Sequence, residues 1–336
     1  MRFNHIIFIA IIFFTFVFIN TESKVQMGII TDSKYVGDRE VAWRIKVAAE
    51  RLGWEAHIDE SGGKNLRMKK LDFAICMLPN NTFTSNCPIY LMIFHPFQYL
   101  DKNRLLLPFY EKYDGYLLTI HDRDIIRKTA WHKKKVFHFI PFYPTIYSTP
   151  YRELDFRDLV VMIPVWSNRL NDPKFKALYK LLSDSETAKF YGIQKNASMV
   201  AKGYMGSIPF DGVSVLEILQ KHGIVLVFHS DIHNTEKIPS SRIFEAAAAS
   251  NIIICDQNEF VQKHFGDSVF YIDTSLSENE IFDQIQQHLK TIKEAPEIAH
   301  EMAKKAHDIF IKNFTMENQL LKLEEMHKKI KVTKRG

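Results

Sequence analysis

The sequence predicts an α/β protein with two domains, each built on a parallel β-sheet. Its 336 residues are enough for two domains of ordinary size with substantial cores. Short apolar strands alternate with helical segments, beginning with a strand at 25–31, a helix at 39–52 and a strand at 54–58. Such βαβ units form parallel sheets. The segment 141–150 carries three prolines without helical periodicity, which is typical of a connection between domains.

The composition favours a folded chain with a small anionic partner. Hydrophobic residues make up 46% and charged residues 25%, which excludes a disordered chain. The net charge of +5 suits an anionic small ligand or proximity to a membrane, and no arginine-rich motif indicates a nucleic acid partner. Two interpretations of Cys76, Cys87 and Cys255 fit: three buried thiols, or a loop closed by the first two.

Residues 1–23 are predicted to be a secretory signal peptide. Arg2 and His5 precede an apolar run at 6–19, and small residues follow at Thr21 and Ser23. The run is shorter than the roughly 20 residues of a membrane span, although an uncleaved membrane anchor also fits. The prediction is therefore a chain that is exported or enters the lumen of the secretory pathway, with membrane association as the alternative.

Two histidines follow strands of the first domain at the edge where ligands bind in parallel sheets. His95 comes directly after the strand at 89–94, and His121 follows the strand at 115–120. A structural histidine at a strand end fits the same pattern. The first strand is not followed by G-x-G-x-x-G, which argues against a dinucleotide site. The other strands predicted in this domain are at 73–78 and 136–140.

The second domain is predicted to continue the alternation of strands and helices. Residues 203–207 are predicted to be a flexible turn because they contain two glycines. Predicted strands lie at 159–165, 198–202, 224–228 and 269–272, and predicted helices at 172–182, 214–222, 259–265, 277–293, 296–314 and 316–328.

The segment 238–256 carries the most specific signal in the chain. Pro239 ends the preceding segment, a serine follows that can cap a helix, and four alanines allow that helix to lie close to a neighbour. Arg242 and Glu245 are at i and i+3, so they project from one side of the helix. An arginine at a helix N-terminus suits a phosphate, and the glutamate suits a sugar diol. An ordinary salt bridge on a surface helix fits the same spacing.

This segment resembles the nucleotide-sugar segment of the GT-B glycosyltransferases. The residues Ser-Arg-Ile-Phe-Glu-Ala-Ala-Ala-Ala-Ser precede an apolar strand and Asp256, and are similar to the pattern R-x-F-E-A-x-A-x-G. The resemblance implies two Rossmann-like domains facing a cleft, and a glutamate at the donor ribose, here Glu245. The chain differs from the pattern at Ser250, where the family has glycine, and at Lys237, where it has an acidic residue.

The resemblance also implies the other site residues. Arg169 and Lys174 are similar to the pair that holds the donor diphosphate, although a solvated basic loop fits them equally well. His95 resembles a histidine on the acceptor side. The predicted catalytic residues are therefore His95 and Glu245, and the predicted donor-binding residues are Arg169, Lys174, Arg242 and Glu245.

The predicted function is transfer of a sugar from a nucleotide-sugar donor to a glycan, lipid or protein acceptor. No cofactor is expected. His229 and His233 form an H-x-x-x-H pattern that could indicate a metal site, but no third ligand is evident, so no metal is expected either. The alternative is a secreted two-lobed solute-binding protein without catalysis. The predicted divisions are a leader at 1–23, an acceptor domain at 24–145, a donor domain at 146–315, and a C-terminal helix with a basic tail at 316–336.

Overall fold

The computed structural model describes residues 24–78, 86–94, 112–119, 138–163, 171–192, 198 and 200–333. These residues form two six-stranded sheets in which the paired strands are parallel, and the predicted fold class is confirmed. The leader, His95 and Arg169 lie outside the described residues. Within the described part of the chain, no helix has the length and apolar character needed to cross a bilayer.

The first sheet is built from the amino-terminal part of the chain, and its strand order is β2-β1-β3-β4-β5-β6. Helix α1 (Val36–Arg51) connects β1 to β2 and packs against both strands. Strands β3, β4 and β5 are buried along their whole length, as parallel strands are when both faces are covered. The strands are β1 (Gln26–Ile30), β2 (Glu55–Asp59), β3 (Phe73–Cys76), β4 (Ile89–Ile93), β5 (Gly115–Leu118) and β6 (Phe139–Pro141).

The second sheet has the strand order β12-β11-β10-β7-β8-β9. The direction of winding reverses between β7 and β10, so the ligand crevice is expected at the carboxyl ends of these two strands. The strands are β7 (Asp158–Met162), β8 (Ala188–Tyr191), β9 (Tyr204–Gly206), β10 (Gly223–Val227), β11 (Ile252–Asp256) and β12 (Phe270–Ile272). The helices among them are α2 (Pro173–Asp184), α3 (Ser214–His222), α4 (Asp231–Thr235), α5 (Ser241–Ala248) and α6 (Glu259–Phe265), with α7 (Glu278–Glu294) after β12.

Helix α5 begins and packs as its sequence predicts. The Ser240 hydroxyl accepts a hydrogen bond from the backbone N–H of Arg242 at 3.4 Å, which caps the helix. The four alanines at 246–249 are completely buried. Without bulky side chains in its last turn, α5 packs closely against β11 and against α8 (Pro296–Asn313).

The strand predicted at 198–202 is wrong, and the turn predicted at 203–207 is found only at Gly203. The strand predicted at 198–202 is not formed at the described positions of that range, and β8 and β9 lie on either side of it. Residues Tyr204–Gly206 form β9, and Gly203 ends the turn just before it. A Cβ atom on Gly203 would lie 2.5 Å from the Ala188 carbonyl oxygen, so glycine here lets this turn and the start of β9 lie close to β8.

The last helix, α9 (Met316–Thr333), returns to the first unit and packs against α1. Its Gln319 hydrogen-bonds the backbone N–H and the carbonyl of Tyr143, and its Glu317 accepts from the Ser148 backbone N–H at 2.9 Å. One hydrophobic cluster therefore contains residues of both units. All three cysteines are free thiols, two buried and Cys87 partly buried.

Candidate functional site

A cavity of about 220 Å³ lies between α1 of the first unit and the carboxyl ends of β7 and β8 in the second. This is one side of the crevice that the strand order predicts. The wall is largely apolar, and two charged side chains also contribute to it: Glu40 from α1 and Arg242 from α5. The apolar part of the wall includes Met162, Tyr191, Ile208 and Phe210.

A buried cluster of four charged side chains joins the two units beside this cavity. The Arg44 guanidinium lies 2.7 Å from an oxygen of Glu40 and 2.8 Å from Oε1 of Glu245. The other oxygen of Glu245 lies 2.6 Å from Arg242. Arg44 is 1% exposed and Glu245 is fully buried, whereas Arg242 keeps 27% of its side chain exposed. Two cations thus face two anions, with Glu245 at the centre.

The charges in this cluster set the ionisation of its carboxylates. Burial alone would raise the pKa of Glu245, but the adjacent Arg242 and Arg44 outweigh burial and hold the pKa well below its usual range. Burial raises the pKa of Glu40, and Arg44 offsets only part of that shift. Glu245 is therefore a fixed anion with two arginine partners, and Glu40 is the more weakly acidic of the two carboxylates.

The structure brings together two of the predicted site residues and separates a third. Arg242 and Glu245 do form an ion pair, but Glu245 is buried against α1, so the surface-helix interpretation is wrong. Lys174 lies outside the cluster, where its ammonium donates to the Thr274 carbonyl at 2.7 Å. His95 and Arg169 belong to the residues that the structure does not describe.

Sequence reasoning missed Glu40 and Arg44. They are at i and i+4 on α1, a spacing that also occurs in ordinary solvated pairs on helix surfaces. The only local signal is that α1 begins just after β1, near the ligand-binding edge of the first sheet. Their contact with α5 joins residues about 200 positions apart, and no periodicity in the sequence reports such a contact.

His229, Cys255 and Asp256 form a second buried group at the carboxyl ends of β10 and β11. Their potential ligand atoms lie within 4.8 Å of one another. The Asp256 carboxylate already accepts from the His229 backbone N–H at 3.0 Å and from the Asn234 amide at 3.0 Å, and Nδ1 of His229 lies 2.7 Å away. The Asp256 carboxylate is therefore held by hydrogen bonds within this region, whereas Nε2 of His229 is buried without a hydrogen-bond partner among the described residues. His233 does not join this group, because its ring pairs with the Ser230 hydroxyl.

Comparison with known proteins identifies the fold and a family match over the second unit. Residues 187–325 match the family model described as glycosyl transferase-like. Sucrose-phosphate synthase of Thermosynechococcus elongatus superposes with a TM-score of 0.58 at 11% identity, covering 92% of this chain and all of that one. The chain has the GT-B fold, and its residues 187–325 are glycosyl transferase-like. No curated protein sequence matches it.

Two other solved structures with a fold similar to that of this chain contain a nucleotide. The HepE protein of Anabaena, solved with UDP and glucose, has a TM-score of 0.57 at 10% identity, covering 90% of this chain and 99% of that one. TarM of S. aureus, solved with Fondaparinux, alpha-GlcNAc-glycerol and UDP, has a TM-score of 0.54 at 14% identity. That match covers 76% of this chain and 55% of TarM, so this chain spans about half the length of TarM.

Proposed function

We propose that this chain is a glycosyltransferase that binds a nucleoside diphosphate sugar in the cavity between its two units and transfers the sugar to a glycan, lipid or protein acceptor. The observation that carries the proposal is the position of Arg242. It stands in the first turn of α5, beside the reversal point of the second sheet, and its guanidinium lines the cavity. A helix N-terminus with a fixed cation is a site for phosphate.

The chemistry of the cavity matches the parts of such a donor. Apolar side chains such as Tyr191 and Phe210 suit the face of a nucleobase, and Arg242 suits the diphosphate that follows it. The volume of about 220 Å³ is below the roughly 300–1,000 Å³ of pockets that enclose a whole drug-sized ligand. The cavity therefore suits the nucleoside, and the transferred sugar would extend into the cleft.

In this proposal, catalysis consists mainly of stabilising the departing diphosphate. Glu245 holds one nitrogen of Arg242 in place, so the guanidinium is positioned before the negative charge develops on the leaving group. Lys174 supplies a second cation if its ammonium leaves the Thr274 carbonyl, and Arg169 a third. His95 remains the proposed acceptor-side residue of the first unit. The ribose contact that the resemblance gives to Glu245 stays a prediction, since both of its oxygens face arginines.

The place of the reaction is also a proposal. The apolar run at 6–19 supports entry into the secretory pathway, and a eukaryotic lumen supplies nucleotide sugars. The domain limits at 145/146 and 315/316 remain predictions. The solute-binding alternative gains no support from the comparisons, which return glycosyltransferases and related synthases.

The test is release of nucleoside diphosphate from UDP-, GDP- and ADP-sugars by the full chain, with water as acceptor. We expect one donor to be hydrolysed, and Arg242→Ala to lower the rate at least about tenfold, because a charge-assisted hydrogen bond to phosphate contributes about 1.5–3 kcal/mol. The control is Arg157→Ala, an exposed cation just before the amino end of β7. Tight binding of a free sugar, with no nucleotide bound or released, would contradict the proposal and support the solute-binding alternative.

A further inference from the structure

The loop at 64–70, between β2 and β3, is a basic surface of the first unit with an apolar side chain at its centre. It contains no acidic residue and four exposed cations: Lys64, Arg67, Lys69 and Lys70. Within the described part of the chain, none of these four forms an ion pair. Met68 stands among them and is 96% exposed. The loop therefore presents unpaired positive charge around a protruding methionine.

This loop is packed onto the sheet, although its charged residues face outward. Leu66 is 2% exposed and Leu71 is partly buried. A Cβ atom on Gly28 of β1 would lie 2.9 Å from a methyl carbon of each leucine, so both side chains pack against the strand. The neighbours of Gly28 in the strand pack in the cluster that contains α1, and successive residues of a strand face opposite ways. The loop thus covers the face of the first sheet opposite to α1.

Two other basic parts of the chain meet the end of this loop at Asp72. The Asp72 carboxylate accepts from the backbone N–H of Gln26 at 3.0 Å, and the Asp72 N–H donates to the Gln26 carbonyl at 2.8 Å. Lys24 and Lys70 each lie two residues before one member of this pair. Lys331, in the last turn of α9, lies 3.6 Å from the Asp72 carboxylate. The loop, the start of β1 and the end of α9 therefore form one surface.

The charge of this surface is positive after its carboxylates are counted. Three carboxylates lie next to its cations, and two of them are paired: Asp72 with Lys331, and Glu60 with Arg39 at 2.9 Å. Only Glu55 remains to offset Lys24 and the four cations of the loop. A surface of this kind attracts a partner that carries many negative charges.

The predicted leader ends beside this surface. Its apolar run covers residues 6–19, and Lys24 is the first residue that the structure describes. If the leader is retained as an anchor, residues 20–23 are the whole link between the apolar run and Lys24, so the bilayer lies close to the start of β1. The cations alone suit an anionic bilayer or a nucleic acid. Met68 favours the bilayer, because an apolar side chain flanked by cations can enter the interface below the lipid headgroups.

We propose that the surface formed by the loop at 64–70, Lys24 and Lys331 docks this protein onto an anionic lipid bilayer, with Met68 entering the lipid interface. The inference goes beyond the proposed function and does not depend on it, because docking needs no nucleotide. The loop lies on the face of the first sheet opposite to α1, whereas α1 lines the cavity. Docking through the loop therefore leaves the cavity open to a soluble donor.

The experiment measures co-sedimentation of the full chain with vesicles of phosphatidylcholine alone and of phosphatidylcholine mixed with phosphatidylglycerol. We expect the wild type to prefer the mixed vesicles. The triple variant Arg67→Gln, Lys69→Gln, Lys70→Gln should bind them on the order of a hundredfold more weakly, because each cation near an anionic surface contributes about fivefold in affinity. Met68→Ser should lose about tenfold, since it removes the apolar side chain that enters the lipid.

The matched control removes the same charge from the second unit. It replaces three exposed lysines of α8 with glutamine: Lys304, Lys305 and Lys312. This variant should bind the mixed vesicles as the wild type does. The leader is present in every variant, so its own partition into lipid cancels in the comparison. Melting temperatures check that all the variants are folded, which the exposure of the replaced side chains favours.

Four results would overturn the docking surface. They are equal binding of the wild type to both kinds of vesicle, equal losses in the two triple variants, full affinity in Met68→Ser, and binding to duplex DNA through the loop without binding to vesicles. The last result would assign the surface to a nucleic acid instead. None of these results bears on donor hydrolysis, which is measured without lipid, so failure of the docking surface and failure of the proposed function are separate outcomes.

Discussion

The buried carboxylate of Glu245 is the residue on which the junction between the two units depends. It neutralises Arg44 of α1 and Arg242 of α5, and all three groups would be costly to bury alone. A balanced cluster of this kind adds little stability compared with apolar packing, but loss of one member leaves an uncompensated buried charge. At this scale the structure therefore predicts large and local effects of single substitutions.

Glu245→Gln is expected to destabilise the chain by about 3–5 kcal/mol, because it leaves the buried Arg44 and the partly exposed Arg242 without their shared anion. The matched control is Glu50→Gln, which breaks the i,i+4 pair between Lys46 and a half-exposed Glu50 on the same α1 helix. That surface pair should contribute less than about 1 kcal/mol. Denaturant unfolding followed by circular dichroism measures both variants. Equal losses of stability would contradict the central position given to Glu245.

A pH effect is expected from His327 on α9. Burial lowers the pKa of His327 from 6.5 to about 4, and the positive charge of Lys331 contributes a smaller part of this shift. Its Nδ1 lies 2.8 Å from the Tyr90 hydroxyl, whose pKa burial raises, so the phenol stays protonated and donates to the neutral ring. Between pH 6.5 and about 4, the unfolded chain takes up a proton that the folded chain does not. Stability contributed by the neutral ring is therefore present above pH 6.5 and is lost as the pH falls.

The measurement is the melting temperature from pH 7 to pH 4 for the wild type and for His327→Gln, whose amide can accept from Tyr90 but does not titrate. The wild type should lose stability more steeply over this range. Parallel curves for the two proteins would show that His327 does not contribute to the pH dependence.

At the scale of elements, α5 and β9 show which parts of the fold local sequence determines. The serine cap and the alanine face of α5 are local features, and the helix was predicted at its observed place. β9 was not predicted, because Gly203 before it and Gly206 at its end are typical of turns unless the neighbouring strand is known. Likewise, the sequence identified Arg242 and Glu245 as a pair but not Arg44 as their neighbour, since that contact requires the two units to be docked.

Gly203→Ala tests the account of β9. The added Cβ would meet the Ala188 carbonyl oxygen at 2.5 Å, and that atom belongs to the backbone of a buried strand and has little freedom to move. We expect a loss of about 1–3 kcal/mol from this overpacking. The control is Gly37→Ala in the first turn of α1, where nothing lies within 4 Å of the new atom and alanine favours the helix. Thermal melting measures the stability of both variants. If Gly203→Ala is as stable as the wild type, then Gly203 and the start of β9 do not pack against β8 as described.

At the scale of the whole molecule, two parallel sheets are joined by the 142–157 connection, by α9 and by the charged cluster. Helix α9 holds the connection through Gln319 and Glu317 and then packs on α1, the same helix that carries Glu40 and Arg44. The wall of the cavity and the junction between the units thus share one helix. The sequence predicted two domains and a cleft, but which residues face that cleft follows from this docking and not from local pattern.

The most direct test of a nucleotide site between the units is a crystal structure of the full chain with its tightest-binding nucleoside diphosphate. We expect a phosphate oxygen about 3 Å from the Arg242 guanidinium, with the base in the cavity against Tyr191 and Phe210. An empty cavity with the nucleotide bound elsewhere, and Arg242 touching only Glu245, would contradict it.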